Sequence, residues 1–565
     1  MRKLFAIVLL AMTAAVFADQ TSFRSVQTGW EPSGTPLYDH GIFGQRQIIA
    51  VLDTGLDWDS CYFAEPDGSR PPINTGSPTG GLNWTNIDVS RRKVIAYDFL
   101  YSCDQFPGAT GCDDPNDPTA YDNARHGTLA ASTAAGDNLK PGVADDPADG
   151  IAPAAKLIVQ DGGYIGGDFC ALRPGFGCPV NITPLLDQAY KQGARIHSNS
   201  WGDRQGTVPG VQAPTANYSA AARDVDAFIS SHPDMLVIFD TGNYGAQSPP
   251  PAMTVPAPGC AKNTMQVGGT RYANLHALDD VVTPFNYVGP TRDGRIKPDV
   301  VAPSYVLIGD SDGDVSTNAC PTSLQSGTSW SAPSVAGEAA LVRQYYTDGF
   351  YPSGVASRSN VFNPSAALLK ATLIAAARAV PNDWSYSAHD VVPAAPVPSY
   401  EQGFGFPVLD DALYFPGDRL RTRIADVPLS QGLAQGETAT LRLNVAPDAP
   451  LKVVLVWTDP AGVPRGVSDS TPELVNDLDL RVTTPLGTAL YGNDSLHPGQ
   501  PDRLNNVEVV SIAQPPSGQF TITVNASRLG SGARQGYALV ITGDLLDPIP
   551  AMPLAPPPRL RAARH

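Results

Sequence analysis

Short apolar runs that end in an acidic or amide residue recur through the N-terminal part of the chain, and they predict its architecture. Gln47 to Leu52 runs into Asp53-Thr54-Gly55, Arg195 to Asn199 into Ser200-Trp201-Gly202, and Met235 to Phe239 into Asp240-Thr241-Gly242-Asn243. Continuous apolar segments bounded by turn residues predict buried strands. Lys93 to Tyr97 and Lys156 to Gln160 read the same way. Pro184 to Gln192, Ala220 to Ser230 and Ala366 to Ala377 read as helices, and this alternation predicts an α/β domain. Between Asp57 and Asp122, apart from the strand at Lys93, the abundance of Pro, Gly, Asn and Asp predicts surface loop.

An open α/β sheet places functional groups at the carboxyl ends of its strands, so Asp53 and Asn243 are candidates, although both types are also plain turn formers. A third candidate is Ser329, in a glycine-rich turn ahead of the helical run Val335 to Val342. A serine at a helix start lies beside unpaired N–H groups and the positive end of the dipole, where an oxyanion is stabilised; it is also an ordinary N-cap. His126 precedes a small-residue run suited to a closely packed helix, and a side chain that titrates near neutrality is the usual base for a serine hydroxyl.

Beyond Pro416 the pattern changes to short strands at Thr438 to Val445, Leu451 to Trp457, Leu478 to Thr483, Gln519 to Val524 and Tyr537 to Thr542. Such spacing predicts an antiparallel β-sandwich, jelly-roll-like. In Leu474 to Leu480, Asp477 and Asp479 oppose the leucines and are expected to face away from the core. Asp479, Asp494 and Asp502 offer oxygens to a structural calcium ion, with solvated acids as the plainer reading. Carbohydrate or matrix binding is the other role considered for this domain.

Composition narrows the class. Residues 1–18 carry Arg2 and Lys3, an apolar run and a small-residue end, the pattern of a secretory signal peptide. An exported protein, extracellular or periplasmic, without a membrane anchor is expected. The net charge of −17 argues against nucleic acid as a partner. Seven cysteines predict disulfides, with Cys103–Cys112 or Cys170–Cys178 as short-loop candidates and Cys260–Cys320 as a longer one, and the odd count leaves one thiol free, for which Cys61 is the candidate; spacing alone does not fix the pairing. Their spacing does not suggest zinc.

Four candidates now stand in the order Asp53, His126, Asn243, Ser329, and the order Asp, His, Ser is one of the known arrangements of a catalytic triad. The sequence resembles the subtilisin-like serine proteases, the subtilase family, through Asp53-Thr54-Gly55, His126-Gly127-Thr128, Ser200-Trp201-Gly202, Gly242-Asn243 and Gly327-Thr328-Ser329 up to Pro333. The likeness extends through Lys297-Pro298-Asp299-Val300 and, with Leu474 to Leu480, is nearest to secreted alkaline bacterial subtilases that carry a C-terminal β-sandwich.

The resemblance implies a three-layer fold with a mostly parallel sheet, and domains at 19–415 (peptidase) and 416–546 (sandwich); composition predicts a disordered Pro/Arg-rich tail at 547–565. The resemblance implies a secreted endopeptidase acting on proteins or peptides without an organic cofactor, and a monomer is expected. Ser329 would attack the carbonyl, His126 move its proton, Asp53 orient the imidazole and Asn243 complete the oxyanion hole. Ser200, Trp201, Gly202 and Gly242 would bind substrate. A catalytically silent fold that serves as an extracellular binding protein is the alternative. Three departures stand out: Leu129 for a histidine, Tyr244 for an acidic residue and Trp330 for the usual methionine, which predicts tolerance of peroxide. The short stretch before Asp53 shows no folding prodomain of the kind usual in that family.

Overall fold

The structure, a computed structural model, describes residues 22–29, 34–75, 85–100, 115–119, 121–122, 125–138, 146–162, 181–202, 215–244, 251–270, 281–385, 390–550 and 559–561. The expected leader 1–18 and the candidate cysteine pairs Cys103/Cys112 and Cys170/Cys178 lie outside these residues.

Eight strands, β1 (Ile48–Asp53), β2 (Ile73–Thr75), β3 (Val94–Phe99), β4 (Lys156–Asp161), β5 (Ile196–Asn199), β6 (Leu236–Asp240), β7 (Met265–Thr270) and β8 (Val300–Pro303), form one sheet in the order β2-β3-β4-β1-β5-β6-β7-β8. All seven pairings are parallel. The reason these strands are apolar throughout is visible in the core. Ile49, Val51, Leu157, Val159, Leu236 and Ile238 pack on the face covered by helices His126–Ala135, Thr328–Thr347 and Ala366–Ala376. Their neighbours Ala50, Leu52, Ile158, Val237 and Phe239 pack on the opposite face, against helices Thr183–Lys191 and Ala220–Ser231. A strand covered on both sides needs apolar residues at every position, and the result is the expected three-layer α/β fold.

The C-terminal region forms two antiparallel sheets. The four-stranded one takes Arg421–Val427, Tyr537–Gly543, Leu451–Val456 and Val507–Ile512 in spatial order; the five-stranded one takes Ala489–Tyr491, Asn476–Thr483, Gly518–Leu529, Glu437–Val445 and Arg559–Arg561. Within Leu451–Val456 the side chains split: Val453 and Leu455 enter the sandwich core, while Val454 and Val456 join the core of the α/β layer around Leu368 and Leu369. The four-stranded sheet is therefore sandwiched in turn by a helix of the peptidase region, and the hydrophobic core runs across the boundary expected at 415/416. Charge ties the same surfaces: Lys262, wholly buried, pairs with the equally buried Asp459, and its Nζ also donates to the Glu473 carbonyl at 2.9 Å.

Three expectations need correction. The segment after Asp57 is not surface loop throughout, because Asp57 to Ala64 are buried. Cys61, expected free, is disulfide-bonded to Cys320, and Cys260, expected to pair with Cys320, is the buried free thiol. Residues 559–561 pair as a strand with Glu437–Ala439, and 551–558 and 562–565 lie outside the described residues. Asp477 and Asp479 are not solvated; Asp477 is 3% exposed and both bind the Arg503 guanidinium.

Candidate active site

Three loops that follow strands converge with two helix starts. Asp53 ends β1 and is 3% exposed; its Oδ1 accepts the Thr54 N–H at 2.8 Å and faces His126 Nδ1 at 2.7 Å. A carboxylate acceptor at Nδ1 places the ring proton there and leaves Nε2 free of it, as a general base requires. His126 opens the helix His126–Ala135.

The close fit of that helix on the Asp53 loop depends on Gly127. A Cβ there would lie 2.1 Å from the Gly55 carbonyl oxygen, which any side chain would displace. Thr54 and Thr128 then lock the contact. Thr54 Oγ1 donates to Asp122 at 2.8 Å and accepts the Gly127 N–H at 2.8 Å, while Thr128 donates to the other Asp122 oxygen through both N–H and hydroxyl. Burial pushes Asp122 up to about 6 despite these donors. Asp122 was not singled out from the sequence, where it sits among many loop acids with no pattern to mark it.

Ser329 is the second residue of the helix Thr328–Thr347 and is 8% exposed. Its backbone N–H is one of the first-turn donors that no intrahelical carbonyl satisfies. The preceding Thr328 fixes the turn: its N–H donates to Asn243 Oδ1 at 3.0 Å and its hydroxyl to Asp240 Oδ2 at 2.9 Å. With Oδ1 committed, the Asn243 amide presents Nδ2 as its donor. Asp240 is buried and pushed up to about 6 by desolvation. The signal that marked Asp53, an acid ending an apolar strand, also marked Asp240, whose use in holding the nucleophile turn only the fold reveals.

Trp330 follows Ser329 and packs its ring 5.0 Å from the His126 ring, which connects the two helix starts. Ser200 donates its hydroxyl to the Ser329 carbonyl at 2.7 Å. Trp201 turns inward, with Nε1 donating to the Leu52 carbonyl at 3.1 Å. Gly242 has φ +77°, and the Tyr287 ring, 3.0 Å from where a Cβ would lie, would crowd a side chain there.

The sandwich aspartates are met by donors of the protein itself. Asp479 faces the Arg503 cation and the Asn525 amide; Asp502 accepts from Leu504 N, Asn505 N, Asn505 Nδ2 and Asn493 Nδ2; Asp494 Oδ1 accepts from Gly499 N at 2.7 Å. Among the described residues no three acidic, histidine or cysteine side chains gather as a metal site. Asp502 has another use: it orients Asn505, whose Oδ1 accepts the Ile296 N–H of the peptidase region at 2.8 Å. Among the described residues, no helix is long and apolar enough to cross a membrane.

The chain has relatives among known proteins. The chain is similar to the serine protease/ABC transporter B family protein tagA of Dictyostelium discoideum, 26% identical over 92% of this chain and 31% of that protein. It is also similar to subtilisin BL of Lederbergia lenta, 29% identical over 54% of this chain and 80% of that one. The chain thus spans under a third of the length of the Dictyostelium relatives. The crystal structure of fervidolysin from Fervidobacterium pennivorans is similar at 16% identity and a TM-score of 0.41, covering 88% of this chain and 63% of that one. A model of the subtilase family matches residues 44–405, more than half of the sequence, and the chain belongs to that family.

Proposed function

We propose that the chain is an exported serine endopeptidase that hydrolyses peptide bonds through an acyl-enzyme. The observation that carries this reading is the 2.7 Å contact between His126 Nδ1 and Asp53 Oδ1, made beside a helix start that presents Ser329. Ser329 Oγ attacks the carbonyl while His126 Nε2 takes its proton, and Asp53 stabilises the resulting imidazolium. The oxyanion is held by the Ser329 N–H and Asn243 Nδ2; loss of one such donor costs about 100- to 1000-fold in turnover. His126 returns the proton to the leaving amine, and water then releases the acyl group by the same path. Substrate backbone pairs with Ser200 to Gly202 and packs at Gly242. Protein or peptide chains are the substrates, reached after removal of the leader 1–18.

The test is labelling with a serine-directed phosphonate alongside casein hydrolysis. Parent protein is expected to be labelled at Ser329 and to cut casein, and Ser329→Ala to do neither. Absence of both in the parent would remove the enzyme reading and leave a binding protein on the same fold.

A further inference from the structure

The residue directly ahead of His126 is held in a conformation that its own type disfavours. Arg125 precedes the helix His126–Ala135 with φ +60° and ψ −3°, the left-handed region in which a Cβ crowds the backbone, and its side chain gives the helix no capping hydrogen bond. Its backbone fixes the entry of the helix: the N–H donates to the Asp122 carbonyl at 3.1 Å, and the carbonyl accepts the Leu129 N–H at 3.2 Å. A return of Arg125 to negative φ turns the peptide that carries His126, and with it the imidazole that faces Asp53 at 2.7 Å.

What opposes that return lies 185 residues further along the chain. The Arg125 guanidinium meets the Asp310 carboxylate as a fork, with Nε donating to Oδ1 at 3.1 Å and Nη2 to Oδ2. The arginine side chain is 51% exposed, but its partner is 3% exposed, and the bidentate geometry gives the pair a direction that a single surface contact lacks. Asp310 is itself anchored: its Oδ1 also accepts the Ser311 N–H at 2.8 Å, and its own N–H donates to the Pro321 carbonyl at 2.9 Å. It follows the strand Tyr305–Gly309, whose last residue lies against the same helix, so close that a Cβ on Gly309 would be 2.7 Å from Ser132 Oγ. The strand thus grips the helix at Ser132, and the ion pair grips the residue from which it starts.

We propose that Arg125 and Asp310 are positioning residues: their ion pair holds residue 125 left-handed and so keeps the His126 imidazole on Asp53. The consequence for turnover rests on the peptidase reading, since an imidazole turned from Asp53 is misplaced for the Ser329 proton. Glycine adopts this φ without an anchor. It therefore separates backbone placement from stability alone, because a merely stabilising ion pair is lost equally with glycine and with alanine.

Steady-state kinetics on one peptide and proton NMR of the full chain test this. Arg125→Ala and Asp310→Asn are expected to lower kcat by about tenfold, with KM within about twofold of the parent. Arg125→Gly is expected to lower kcat by about threefold or less, although it loses the same ion pair as Arg125→Ala. The proton between His126 Nδ1 and Asp53 gives a far-downfield signal that needs no substrate; it should persist in the parent and in Arg125→Gly and shift or broaden in Arg125→Ala. Should Asp310→Asn fold poorly, the alanine and glycine variants of the half-exposed Arg125 carry the comparison. A parent that shows the signal but cuts no peptide ends the peptidase reading, and the signal in the variants then decides the role of the pair. The proposal is overturned if Arg125→Ala keeps the parent's kcat and signal, or if Arg125→Gly loses as much as Arg125→Ala.

Discussion

The carbonyl oxygen of Ser329 accepts the hydroxyl of Ser200 at 2.7 Å. Pro333, four residues further along the helix, has no N–H to give that carbonyl. The proline that marks the Ser329 turn thus leaves an orphan acceptor directly behind the proposed nucleophile, and the loop after β5 supplies its donor. Ser200→Ala is expected to lower stability by about 1–3 kcal/mol, the cost of an unpaired buried acceptor. Turnover should fall by more than KM rises, because the change acts on the placement of Ser329. Thermal unfolding and steady-state kinetics on one peptide check both.

Glu338 lies on the same helix, 0% exposed, and neither carboxyl oxygen has a hydrogen-bond partner. Burial raises it well above its ordinary value of 4.5. The folded protein therefore keeps a proton that the unfolded chain releases above pH 4.5, so this group's contribution is most favourable below that pH. Stability then falls as pH rises, by about 1.4 kcal/mol per unit, until the folded group ionises. Glu338→Gln removes this slope. Urea unfolding of parent and variant at pH 5, 7 and 9 should show the variant gaining steadily with pH; a constant difference would contradict it.

The buried pair Lys262–Asp459 predicts an asymmetry. Asp459 also accepts the N–H groups of Val475 at 2.9 Å and Asn476 at 2.7 Å. Asp459→Ala strands a buried ammonium and two amide donors, and is expected to cost about 3–5 kcal/mol. Lys262→Met leaves a carboxylate that is still hydrogen-bonded and should cost less. Denaturation of the full chain measures both, and equal losses would count against this account.

Trp330 packs on His126 and is 5% exposed. It carries no thioether, so hydrogen peroxide should leave the parent's activity unchanged under conditions in which Trp330→Met loses most of its activity to sulfoxide formation. Residual hydrolysis after timed exposure is the measurement.

Much of this molecule was legible in local pattern. Unbroken apolar runs marked the double-covered strands, and the residue at the end of each run marked the sites, because a strand end and a helix start carry their chemistry in adjacent residues. Asp53, His126, Asn243 and Ser329 became candidates in this way. So was the sandwich, from its turns and strand spacing.

What local pattern could not reach was any choice between distant partners. Cys61 and Cys320 are 259 residues apart, and only the burial of the Asp57–Ala64 segment against the loop 310–320 decides that they meet and that Cys260 stays free. Asp502 and Asp479 have the residue type of cation ligands, yet the amides and the Arg503 guanidinium brought to them by folding take their oxygens. The same holds for Leu451–Val456, whose period cannot show which protein covers its second face. Sequence spacing encodes backbone conformation and which residues share a face; packing of remote segments decides which polar atoms are satisfied, and by whom.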